Sequence, residues 1–188
     1  MKELLKKLNA CQPAREWADD KTIEEIWATC YRGDWMLWLA RKLNIDKRVL
    51  TIAKGHCANT VRHLMKDERS IAAVDMAIKY GEGNATDSEL AAAADAAYDA
   101  TADAYDAYAA DYATADAAAA YAADAAAAAA AYDATAYAAA ADAAYDATAD
   151  ADARKQSQQA TAEICRKYIP LELILAAIKS QEKQKDGI

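Results

Sequence analysis

An all-α fold is what this sequence predicts, and three observations predict it. From Ala91 to Ala153 the chain uses four amino acids only, 39 Ala, 12 Asp, 8 Tyr and 4 Thr in 63 consecutive residues. Ala is the strongest helix former because it loses no side-chain entropy and hides no polar group, and neither Gly nor Pro interrupts the run. Outside it, large apolar residues recur at helical spacing behind Ser, Thr or Asp residues placed to cap helices. Punctuation is sparse: Gly81-Glu82-Gly83-Asn84 is the flexible joint, and Pro170 is a late break.

The elements follow in order. Met1 to Leu8, MKELLKKL, makes an amphipathic turn or two, too short and too charged for the apolar core of a signal peptide. Thr22 with Glu25 forms a capping box before Ile26 and Trp27. Asp34 is placed to cap the next helix, which carries Trp35, Trp38 and Leu39 on one face and stops near Asn44. Asp46 caps a longer one, with Leu50, Ala53, Cys57, Val61, Leu64 and Met65 as its buried stripe and His56 and His63 beside it. Ser70 opens a helix through Tyr80, with Gly81 as its left-handed terminator. Thr86 with Glu89 is a second capping box, and it launches the Ala-rich region. After Pro170, Leu171 to Ile178 reads as a last short apolar helix before a polar tail.

One unbroken helix from Thr86 to Tyr168 would be about 125 Å long, so the Ala-rich region is expected to fold back or to pair with another chain. At 100° per residue, Tyr98, Tyr105, Tyr108 and Tyr112 share one stripe, and Asp95, Asp99, Asp103 and Asp106 the adjacent one. The segment ADAAYDATADA at 94–104 returns letter for letter at 141–151. Two matched helices around a less regular middle are the economical reading, forming a hairpin or bundle. Three regions result: a helical N-terminal module (1–83), the Ala/Asp/Tyr-rich region (84–169), and a C-terminal helix with its tail (170–188).

Charge divides along the same lines. The net −8 is distributed as +4 over residues 1–80, −3 over 81–90, −12 over 91–153 and +3 over 154–188. Mildly basic flanks could dock on the acidic helices, or the acidic face could engage a basic partner. Cys11, Cys30, Cys57 and Cys165 lie far apart without a CxxC pair, which reads as free thiols in a reducing, cytoplasmic setting. No run of apolar aliphatic residues is long enough for a membrane span.

Each site that could carry chemistry has a plainer explanation beside it. His56, Cys57 and His63 are conceivable metal ligands, with His56 and His63 two turns apart on one side of a helix, but seven residues is too wide a separation for both histidines to hold one ion, so no metal site or cofactor is expected. Trp17, Trp27, Trp35 and Trp38 could form a ligand cage; at helical spacing among Leu and Ile they read first as core. Carboxylates three and four residues apart repel one another by a few tenths of a kcal/mol per pair unless cations face them. Solubility explains them most simply. Recognition of a basic surface, or mimicry of nucleic-acid phosphates, explains them more sharply. The surface this singles out comprises Asp95, Tyr98, Asp99, Asp103, Tyr105, Asp106 and Tyr108, with Asp142, Tyr145, Asp146 and Asp150 from the repeat. Thr101, Thr114, Thr135 and Thr148, spaced 13, 21 and 13 residues apart, do not line one face, which argues against ice binding.

A family resemblance adds to this reading. Cys11-Gln-Pro-Ala-Arg-Glu-Trp17, Ala28-Thr-Cys-Tyr-Arg-Gly-Asp-Trp-Met-Leu-Trp-Leu39, Ala53-Lys-Gly-His-Cys-Ala58, Arg62-His-Leu-Met-Lys-Asp-Glu-Arg-Ser70, an Ala-rich stretch and Tyr168-Ile-Pro170 follow in an order that resembles immunity proteins of bacterial polymorphic toxin systems, the immunity-type-five-like group, also seen in phage genomes. Arg32-Gly-Asp-Trp-Met-Leu-Trp38 is the most specific element. The resemblance implies a cytoplasmic, non-catalytic protein that inhibits a toxin or defence effector by stoichiometric binding, and it brings no catalytic residues. The expected partner is thus a protein with a basic surface, with neither a nucleic acid nor a membrane bound directly. An acidic nucleic-acid mimic that blocks a nuclease is the alternative, and a module that self-associates through its Ala faces the third.

Overall fold

Short-range hydrogen bonds set the helix starts. The computed structural model of this chain describes residues 1–65, 67–110 and 151–186, and among them there is helix and no strand. The helices are α1 (Lys2–Lys7), α2 (Gln12–Trp17), α3 (Ile23–Thr29), α4 (Gly33–Lys42), α5 (Lys47–Asn59), a 3₁₀ turn at Arg62–Leu64, α6 (Glu68–Gly81), α7 (Asp87–Ala110), α8 (Ala151–Tyr168) and α9 (Leu171–Asp186). Thr22 and Glu25 form the full capping box of α3. Asp46 accepts from the amides of Arg48 and Val49 to start α5. The amide of Glu89 donates to Thr86 Oγ1, and that of Thr86 donates to Glu89, at the start of α7. Asn44, at φ 57°, takes the left-handed turn that ends α4.

Five helix-end assignments need correction. Arg32, not Asp34, occupies the N-cap of α4; Asp34 lies inside the first turn, 2 % exposed, where the Arg32 guanidinium holds both its oxygens. Helix α6 begins earlier than Ser70, because Asp67 accepts from the Arg69 amide. Gly81 is the last helical residue of α6, and Gly83 takes the positive φ, 84°. What Gly81 provides is room: a Cβ there would overlap Ile52 of α5. Finally, α9 runs on through the polar tail to Asp186, and the buried stripe of α5 is carried past Asn59 by Val61 and Met65, while Leu64 sits half-buried in the 3₁₀ turn.

Two apolar clusters meet at α5. The first gathers Trp27, Met36, Leu37, Leu50 and Cys57 from the N-terminal helices, and Ala162, Cys165, Ile169 and Ile174 from α8 and α9. Helix α8 packs on both α4 and α5, and α9 on α3. Gly33 allows the α4–α8 approach, since a Cβ there would lie 2.5 Å from Thr161 Oγ1 and 2.7 Å from its carbonyl carbon. The second cluster joins Ala58 and Val61 to Ala73, Val74, Ala77 and Tyr80 of α6 and Leu90, Ala94 and Ala97 of α7. Small residues on both facing surfaces let α6 and α7 pack closely. The Gly81–Asn84 joint therefore lies within one packed unit, and α7 is anchored to α6 along its Ala face.

Candidate functional site: an acidic helix face and a tryptophan-lined cavity

Burial of Leu90, Ala94, Ala97 and Ala100 fixes which way α7 faces. At 100° per residue, Asp95 and Asp99 then point away from α6 while Asp103 lies at the edge of the contact, and all three are exposed. Tyr98, 64 % exposed, is the most exposed large hydrophobic residue among the described ones. The stripe read from the sequence is thus a real surface over this stretch. Tyr105, Asp106 and Tyr108 lie on the last turns of α7, beyond the described side chains, and Asp142, Tyr145, Asp146 and Asp150 lie outside the described residues.

Part of the acid is matched by the N-terminal half. Asp103 Oδ2 is 2.6 Å from Arg69. At the start of α7, Asp87 accepts from Lys47 Nζ at 2.7 Å and from the Tyr80 hydroxyl at 2.9 Å. Those two hydrogen bonds, Lys47 first, hold the Asp87 carboxyl below the usual carboxylate range. Burial in turn pushes the Tyr80 phenol up. The basic flank therefore docks on the acidic helix at both ends of the described contact, while Asp95, Tyr98 and Asp99 occupy the outer face between them.

The tryptophans converge in a way that the core reading did not foresee. Trp17 of α2, Trp27 of α3 and Trp35 and Trp38 of α4 all line one cavity of about 350 Å³. Only Trp27 is fully enclosed, 3 % exposed; its indole Nε1 donates to the Ile169 carbonyl at 3.2 Å. Trp17, Trp35 and Trp38 are half-buried. Trp17 and Trp35 stand 6.2 Å apart at 55°, and Tyr31 meets Trp17 edge-on at 6.3 Å. Cations cover two of these rings: Lys21 Nζ is 4.7 Å from the Trp17 ring centre and the Arg32 guanidinium 4.8 Å from that of Trp35. The count of four tryptophans within 22 residues was the signal in the sequence; their convergence depends on how α1 and α2 close over α3 and α4.

The histidines do not assemble a site. His56 stacks on Tyr168 of α8 at 4.3 Å and 9°, and His63 is exposed in the 3₁₀ turn. Among the described residues no three His, Cys, Asp or Glu side chains are grouped to hold a metal ion. Cys11 is exposed and Cys30, Cys57 and Cys165 are buried, all as free thiols. Burial raises the Cys30 thiol to about 11, which makes it a poor nucleophile near neutral pH. No described helix is long and apolar enough to cross a membrane.

Compared with known proteins, the chain matches no family model, and no curated sequence or solved structure is significantly similar to it.

Proposed function

We propose that this is a non-catalytic immunity or anti-defence protein that inhibits a toxin or effector by one-to-one binding, with the outer face of α7 as the contact surface. The observation that carries this reading is Tyr98, 64 % exposed between the exposed Asp95 and Asp99 on a helix whose opposite face is buried. A large amphipathic ring is cheap to order and is enriched at interfaces. Here it sits on a pre-positioned helix, so binding would require little ordering of the surface. The neighbouring carboxylates favour a partner that brings Lys or Arg. The order of sequence motifs that resembles immunity proteins supports the same role.

Co-expression with a panel of bacterial toxin domains tests it. Growth rescue by one member, with a one-to-one complex by calorimetry, is the expected result. Replacing Asp95, Asp99, Asp103 and Asp106 with Asn should weaken that complex while the circular dichroism of the helices is retained. Unchanged affinity would remove the acidic face from the account. Affinity that collapses steeply with salt, together with displacement of DNA or RNA from a nuclease toxin, would favour phosphate mimicry over a mixed apolar and ionic interface.

A further inference from the structure

The tryptophan-lined cavity lies in the first apolar cluster and is independent of the acidic face. Protein interiors contain few voids larger than a water molecule, and a cavity of about 150 Å³ already admits benzene. At about 350 Å³ this one is in the size range of small-molecule pockets, which start near 300 Å³. It opens to solvent where Asn9 and Cys11, both exposed, reach its lining. We infer that it is a binding site for a neutral, planar aromatic molecule of about two fused rings.

Chemistry narrows the occupant to that class. No charged side chain contributes to the lining, so an anion would find no counter-charge there. An ammonium ligand would be drawn to indole faces, but the Trp17 and Trp35 rings already carry Lys21 and Arg32 as their cations. What remains is a set of π surfaces tilted against one another, as Trp17 and Trp35 are at 55°. Such surfaces reward a flat aromatic guest in offset or edge-to-face contact more than a saturated one of equal size. Asn9 supplies an amide at the mouth for a single polar substituent.

Coumarin, octahydrocoumarin and benzyltrimethylammonium have the same number of non-hydrogen atoms, so they separate planarity from charge. Two intrinsic reporters localise binding, because all four tryptophans of the chain line this cavity and Cys11 is the one exposed cysteine of four. Coumarin is expected to bind one-to-one with a Kd of about 10–100 μM, to quench tryptophan emission, and to slow alkylation of Cys11. Octahydrocoumarin and benzyltrimethylammonium should each bind about tenfold more weakly. Ala14→Phe, which fills the cavity from a half-buried position on α2, should abolish coumarin binding while leaving the helical circular dichroism unchanged. Absence of coumarin binding to the parent overturns the proposal, as does equal binding of octahydrocoumarin, tighter binding of the ammonium probe, or an alkylation rate at Cys11 that saturating coumarin leaves unchanged. The last readout needs only the parent protein, so it decides the matter even if Ala14→Phe fails to fold.

Discussion

Asp103 Oδ2 lies 2.6 Å from the guanidinium of Arg69, which at the same time grips Asp67, the N-cap of α6. One arginine therefore ties the acidic stripe of α7 to the first turn of its neighbour. Asp103→Asn should loosen this tie at low ionic strength, seen as faster amide exchange around residues 100–103. In about 1 M salt, where the Debye length is about 3 Å, parent and variant should coincide. Because Asp103 already has a partner, its replacement should weaken complex formation with a basic protein less than Asp99→Asn does.

Gly33→Ala tests the α4–α8 crossing. The new methyl would meet both the side chain and the backbone of Thr161, so the helices must separate. A loss of about 1–3 kcal/mol in urea unfolding is expected for overpacking of this kind. Adding Thr161→Ala should recover only part of it, since the 2.7 Å approach to the Thr161 carbonyl carbon remains.

Trp27→Phe keeps an aromatic ring in the core but leaves the Ile169 carbonyl without its indole donor. A cost of about 1 kcal/mol is expected from the hydrogen bond, against about 3–5 kcal/mol for Trp27→Ala. Trp35→Ala should cost less than Trp27→Ala in the same urea titration, because Trp35 is a half-buried cavity wall and not an enclosed core residue.

His56 gives the protein a pH dependence of known sign. Burial, then the charge of Lys167, lowers its pKa below the ordinary 6.5. The unfolded chain therefore takes up the proton first, and stability present above pH 6.5 is lost as the pH falls through that value toward the folded pKa. His56→Gln should flatten this segment of the stability profile. A parent profile that rises on acidification through the same range would contradict the stacked, partly desolvated geometry against Tyr168.

Legibility in the sequence followed the range of the interaction. Thr22, Asp46 and Thr86 were readable as caps because the bonds they make close within three residues. Asp34 and Ser70 were misplaced by a turn or less, since an arginine before one and an aspartate before the other offered competing starts. The stripe of Asp95, Tyr98 and Asp99 was visible from periodicity alone, because the opposite Ala face decides which side is buried. Docking of α8 was harder to see. Its sequence from Arg154 to Tyr168 is dominated by polar residues, and only Thr161, Ala162 and Cys165 of its described side chains, with Ile169 just beyond it, are fully buried. Four indoles around one cavity needed tertiary geometry that no local pattern contains.

Trp27 and the carbonyl that receives its indole proton are 142 residues apart. At about 5–20 residues per second of synthesis, Trp27 leaves the ribosome about 7–28 seconds before Ile169 does. During that interval the face of α4 and α5 that α8 will cover still lacks α8. Translation that stalls inside the four-letter run would leave this face without α8, so closure of the first apolar cluster depends on sequence made after the run.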